Sequence, residues 1–387
     1  MSVTAAAGFR AAAATAGLKA SGTPDVALVV NDGPRHDAAA VFTSNRCKAN
    51  PVLWTERTIT DGRLRAVVLN SGGANCYNGP EGFQTTHSSA ELVGELLDGG
   101  AFDVGVCSTG MIGPLLDREK LESGIRSAHD ALSTGDDAGT AAATAIMTTD
   151  TRPKQAASAG DGWTVGGMAK GAGMLAPGLA TMLVVITTDA VVDAPVLDAA
   201  LREATRTTFD RLDTDGCMST NDTVILMASG ASGVEANHDA LAASVTAVCA
   251  DLTAQLWTDA EGAHHDIEIV VTGAASDDDA VTAGRAVARS NLFKAAVFGK
   301  DPNWGRVLAA VGTTDAVFDP HDITVTMNGV MVCRAGGTEA GDPVDDVDMS
   351  GRHLRVGVDL GAGEASATIL TSDLTHEYVH ENSAYST

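Results

Sequence analysis

The sequence predicts an α/β or α+β fold, and three observations carry that expectation. Short β-branched runs alternate with segments whose apolar residues recur at helical spacing. Glycines close the helical segments. The chain's 387 residues, 44% hydrophobic and 19% charged, suffice for one large or two moderate domains with a substantial core.

In chain order, residues 26–30, 39–42, 66–69 and 104–107 read as strands ending near turn residues. Between them, residues 81–97 and 119–132 read as helices, stopped by Gly99-Gly100 and Gly135. Residues 163–178 read as a flexible, Gly-rich approach that feeds a hydrophobic strand opening at Thr181. A helix over 195–209, a strand over 223–227, a long helix over 238–256, a strand over 267–272 and a helix over 279–290 follow. Residues 323–327, 330–333, 354–360 and 365–371 alternate as strands do.

Composition removes several classes of function. With 50 Asp and Glu against 25 Lys and Arg, the formal charge of -25 repels a phosphate backbone, so nucleic acid is not an expected partner. Such a surface suits high salt, which screens self-repulsion. No apolar run is read as reaching the roughly 18–20 residues of a membrane span. The start lacks a basic segment followed by an apolar core, so a cytoplasmic location is expected. The six cysteines show no C-x-x-C pair or metal spacing, which favours reduced thiols and no metal.

Two places carry chemistry. At Ala180-Thr181 a glycine-rich chain enters a strand whose first residue is a hydroxyl nucleophile. A threonine Oγ that attacks the preceding carbonyl forms an ester by N-to-O shift, and hydrolysis leaves a threonine with a free α-amine. That amine titrates near ~7.7–8.0 and can serve as the hydroxyl's own base. On spacing alone, a plain strand former is the stronger reading of the same threonine. The second place, Val106 to Gly113, ends a strand in small residues, where a backbone N–H and a hydroxyl can face an oxyanion. A tight turn needing glycine is its simpler reading.

The stretch Lys170-Gly171-Ala172-Gly173-Met174-Leu175-Ala176-Pro177-Gly178-Leu179-Ala180-Thr181-Met182-Leu183 resembles the self-cleavage motif of the ornithine acetyltransferase (ArgJ) family. Similar patterns stand in family order at residues 42–46, 70–75, 108–113, 147–154, 219–222 and 299–306. Several long motifs in register are far more specific than a lone signature.

The resemblance implies a layered αββα sandwich of the ArgJ and DmpA type, with a smaller C-terminal α/β region. It implies cleavage between Ala180 and Thr181 into an α chain (1–180) and a β chain (181–387) that stay together, assembled as α2β2. The implied activity is glutamate N-acetyltransfer from N2-acetylornithine through an acetyl-Thr181 ester, without cofactor or metal. Acetyl-CoA as a further donor stays open. An N-terminal-threonine amidase or peptidase, in which water replaces glutamate, is the alternative.

By the same resemblance, Thr109 and Gly110 form the oxyanion hole, and Thr148, Lys170, Thr181, Glu261, Asn382 and Thr387 meet substrate. An ammonium at Lys170 suits an α-carboxylate, and a carboxylate at Glu261 suits ornithine's amine. His264 and His265 stand where the family usually has Thr-Lys, and are read as solvated replacements on opposite faces of a strand.

Overall fold

The computed structural model describes residues 2–176, 182–339 and 343–384, and in them the expected sandwich is present. The first sheet has the order β1-β2-β4-β5, from β1 (Phe9–Ala14), β2 (Val26–Asn31), β4 (Ala66–Asn70) and β5 (Val104–Ser108). The second has the order β3-β9-β8-β7-β6, from β3 (Asp37–Phe42), β6 (Lys154–Ala159), β7 (Thr164–Lys170), β8 (Leu183–Thr188) and β9 (Thr223–Ala228). Val29, Val67 and Leu69 of the first sheet meet Met168, Val185 and Ile225 of the second in one core.

Each sheet is also covered on its outer face. Val26, Leu28 and Val68 pack against α2 (Gly79–Leu96) and α3 (Arg118–Asp130) through Val93, Leu121 and Ile125. Val184, Ile186 and Val224 pack against α5 (Ala194–Thr207) and α6 (His238–Trp257) through Leu201, Val245 and Leu252. Burial on both faces explains why β2, β8 and β9 read as unbroken apolar runs rather than alternating ones. Helices α1 (Asn50–Thr58) and α4 (Asp136–Ala145) lie in the same half of the chain.

A third sheet forms the smaller C-terminal region in the order β13-β12-β11-β14-β10-β15. Its strands are β10 (Asp266–Ala274), β11 (Thr324–Met327), β12 (Val330–Arg334), β13 (Gly337–Thr338), β14 (His353–Asp359) and β15 (Ala365–Ser372). Helices α7 (Asp277–Ala288), α8 (Asn291–Phe298) and α9 (Trp304–Val311) close its core, and α10 (His376–Ala384) ends the described chain.

Three expectations change. Residues 164–170 are not a flexible approach: they form β7, hydrogen-bonded on both sides to β6 and β8. Its glycines answer close contacts, since a Cβ on Gly166 would lie 2.2 Å from the Ser2 carbonyl oxygen. Helix α6 is 20 residues long with a mean hydropathy of 1.3, enough by length and composition for a membrane span. Its apolar side is instead spent on the second sheet, as in a core helix. His265 is not solvated: it is buried, with Nδ1 2.7 Å from Asp373 Oδ2.

Candidate functional site

Six of the residues singled out in the sequence line one cleft: Thr109, Gly110, Thr148, Lys170, Glu261 and Asn382. Thr149, Gly173 and Met174 complete it. Ala180, Thr181 and Thr387 lie outside the described residues, although Met182, the next residue after Thr181, is described.

Thr109 and Gly110 follow the buried end of β5. The Thr109 N–H donates to the Asn70 carbonyl at 2.9 Å, which leaves its hydroxyl as the group free to act. That Oγ1 accepts from the buried Lys170 Nζ at 3.5 Å, so the hydroxyl hydrogen is available to another acceptor. Gly110 has φ +126°, and a Cβ there would sit 2.9 Å from the Gly73 backbone. No described residue accepts from its N–H. One hydroxyl and one N–H at a single turn can therefore stabilise a developing oxyanion.

Lys170, at the end of β7, is 1% exposed. Burial pushes its ammonium below the ordinary lysine range, with Asp150 partly offsetting that. Burial also pushes the Asp150 carboxyl up, but Lys170, Lys154 and the Gly171 N–H outweigh it and hold the group below the usual carboxylate range. Asp150 accepts from Gly171 N at 2.7 Å and Thr148 N at 3.0 Å, and so pins two walls of the cleft together.

The opposite wall is acidic. Glu261 lies just beyond α6, its N–H donating to the Ala172 carbonyl at 3.0 Å. Thr149 Oγ1 donates to Glu261 Oε1 at 2.6 Å, and Asn382 Nδ2 donates to Oε2 at 3.0 Å. Gly173 permits the approach, because a Cβ there would stand 2.3 Å from Oε2. Asn382 arrives on α10, whose Tyr378 hydroxyl reaches Asp215 Oδ2 at 3.5 Å; Asp215 also accepts from Met174 N at 2.7 Å. Burial raises both the Asp215 carboxyl and the Tyr378 phenol.

Beneath the cleft, Asp222 Oδ1 accepts from Met182 N at 3.1 Å, and Oδ2 has no partner among the described residues. Desolvation drives this fully buried carboxyl well above its ordinary range, against Met182 N, Ser219 and Lys170. Among the described residues no group of three or more His, Cys, Asp or Glu could hold a metal ion. The cleft instead offers an ammonium, a carboxylate and a turn with one hydroxyl and one backbone N–H, a set chemically suited to a small zwitterion with a reacting carbonyl.

Sequence reasoning missed Thr149, Asp150, Lys154 and Asp259. Three of them stand in the motif 147–154 and the fourth two residues before Glu261, but nothing in the sequence pairs segments about a hundred residues apart.

Residues 10–387 match the model of the ArgJ family. The arginine biosynthesis bifunctional protein ArgJ of Streptomyces coelicolor is 60% identical over 386 residues, with 100% of both chains covered. The protein of the same name from Thermobifida fusca is 58% identical over 387 residues, again with 100% of both chains covered. The crystal structure of ornithine acetyltransferase complexed with ornithine from Mycobacterium tuberculosis is 54% identical, covers 47% of this chain and 96% of that one, and aligns with a TM-score of 0.45.

Proposed function

Since the chain belongs to the ArgJ family, we propose that this acyltransferase moves the acetyl group of N2-acetylornithine to glutamate in arginine biosynthesis. The observation that carries the reading is the cleft. Residues from five distant segments converge there as a cation, an anion and an oxyanion turn, beside the start of the strand that follows Thr181.

In this reading Thr181 Oγ attacks the Ala180 carbonyl, the amide becomes an ester, and water hydrolyses it to give chains 1–180 and 181–387. The freed α-amine accepts the hydroxyl proton as Oγ attacks the acetyl carbon of acetylornithine. The Thr109 hydroxyl and Gly110 N–H stabilise the tetrahedral oxyanion, and ornithine leaves with the proton. Glutamate's amine then attacks the acetyl-Thr181 ester. Lys170 holds the substrate's α-carboxylate and Thr148 borders it. Glu261, kept in place by Thr149 and Asn382, takes the side-chain amine, and Thr387 is a further substrate contact by family resemblance.

Acetyl-CoA as a second donor, an α2β2 assembly and a cytoplasmic location belong to the same proposal. Intact mass analysis tests its centre. Wild type is expected as two fragments and Thr181→Ala as one uncut chain. Acetylornithine should add about 42 Da, one acetyl on the nucleophile, to the 181–387 fragment. Label on the 1–180 fragment overturns the assignment. Ornithine release that continues past one equivalent per site without glutamate, in water alone, favours an amidase.

A further inference from the structure

Four buried charges sit behind the cleft. Lys154 opens the edge strand β6, where it pairs with Ala169, the neighbour of Lys170 on β7. Its side chain is 0% exposed, and its Nζ lies 2.6 Å from Asp150 Oδ1 and 2.6 Å from Asp259 Oδ2. Asp259 in turn accepts from the N–H and hydroxyl of Thr151. The set holds two carboxylates and two ammoniums, so it is neutral as a whole.

The sharing is unequal. Asp150 Oδ1 takes Lys154 Nζ and Gly171 N, while Oδ2 takes Thr148 N. Lys170 Nζ stands 4.0 Å from Oδ2, outside hydrogen-bond reach, and its one direct bond among the described residues is the long contact to Thr109. An ammonium has three donors. At Lys170 two of them have no partner among the described residues, in a buried wall of the cleft, the condition in which an incoming anion gains most.

We propose that Lys154 is a positioning residue for substrate binding: by occupying Asp150 it keeps the Lys170 ammonium from closing onto that carboxylate and so leaves it for the carboxylate of the substrate. Without Lys154, Asp150 is the nearest anion to Lys170, and every substrate carboxylate must displace it. This role rests on the reading above, in which Lys170 meets a carboxylate.

Lys154→Met alone would strand two buried acids, so the test joins it to Asp259→Asn, which preserves shape and neutrality. Steady-state kinetics with acetylornithine and glutamate are expected to show KM raised roughly ten-fold or more for glutamate, the scale of a lost charge-assisted bond, with kcat within about three-fold. A folded double variant whose KM stays within about three-fold of wild type overturns the proposal, because a purely structural role leaves KM in place. Asp259→Asn alone gives Lys154 entirely to Asp150 and carries the test if the double variant does not fold. Its KM for glutamate is expected at or below the wild-type value, and a roughly ten-fold rise overturns the proposal. A wild-type enzyme that transfers no acetyl to glutamate instead sinks the functional reading itself, so the two failures are distinct.

Discussion

Thr149 and Glu261, 112 residues apart, are joined by a 2.6 Å hydrogen bond that fixes one oxygen of the acidic wall, while Asn382 fixes the other. A carboxylate held on both oxygens is pre-oriented for a cationic group and loses little rotamer freedom when one binds.

Thr149→Val removes the hydroxyl and keeps the shape. The expected outcome is a KM for acetylornithine raised about three- to ten-fold with kcat nearly unchanged, since one bond to a charged group is lost while Asn382 remains. Thr149→Ser should restore the wild-type KM, and steady-state kinetics on both variants check it.

Deleting residues 382–387 removes the second support of Glu261 together with Thr387. KM for acetylornithine is expected to rise sharply while cleavage before Thr181 proceeds, because α10 is the last element and the sandwich core does not include it. Kinetics and intact mass on the truncated protein decide the point. Unchanged kinetics would refute a role for the tail.

Gly110→Ala places a side chain at φ +126° and 2.9 Å from the Gly73 backbone. The turn must shift, so turnover is expected to slow by about two to three orders of magnitude, the scale of a displaced oxyanion donor. Thermal stability should fall by about 1–3 kcal/mol. Gly113→Ala, where no atom lies within 4 Å, is the control for the positive φ alone.

Substrate affinity should weaken on the alkaline side earlier than free lysine would dictate. Burial lowers the Lys170 pKa from 10.5, with Asp150, Glu261 and Asp222 opposing that and Lys154 adding to it; Lys19 also repels it. The cation is lost as pH rises through the depressed folded value, and with it the carboxylate site. For stability the sign is opposite. Between that value and 10.5 the unfolded chain binds the extra proton, so this group's contribution to stability rises with pH. The pH profile of 1/KM for glutamate tests the first statement, and its disappearance in Lys170→Met confirms the origin.

Added KCl should raise the melting temperature, because a formal charge of -25 repels itself most at low ionic strength. Thermal melts in low and molar KCl read this directly, and a salt-insensitive transition counts against the surface-charge argument.

Periodicity found the strands whose side chains are β-branched and the helices with clear apolar spacing, and it erred where composition hides the period. Phe9–Ala14 is almost all alanine yet forms β1, because β2 offers it a partner edge. The glycines of β7 looked like slack chain until Ser2 and Val248 were found pressing on them.

From the sequence by itself came the mixed α/β class and the Ala180-Thr181 step as one candidate place for chemistry, and its resemblance to the family implied the layered sandwich and the six residues that line the cleft, because motifs in register carry residue identities without any knowledge of contacts. Tertiary structure alone joined Thr149 to Glu261 and strung Lys154 between Asp150 and Asp259. Those contacts depend on which strands become neighbours, and pairing across a hundred residues is settled by the packing of whole sheets rather than by any local pattern.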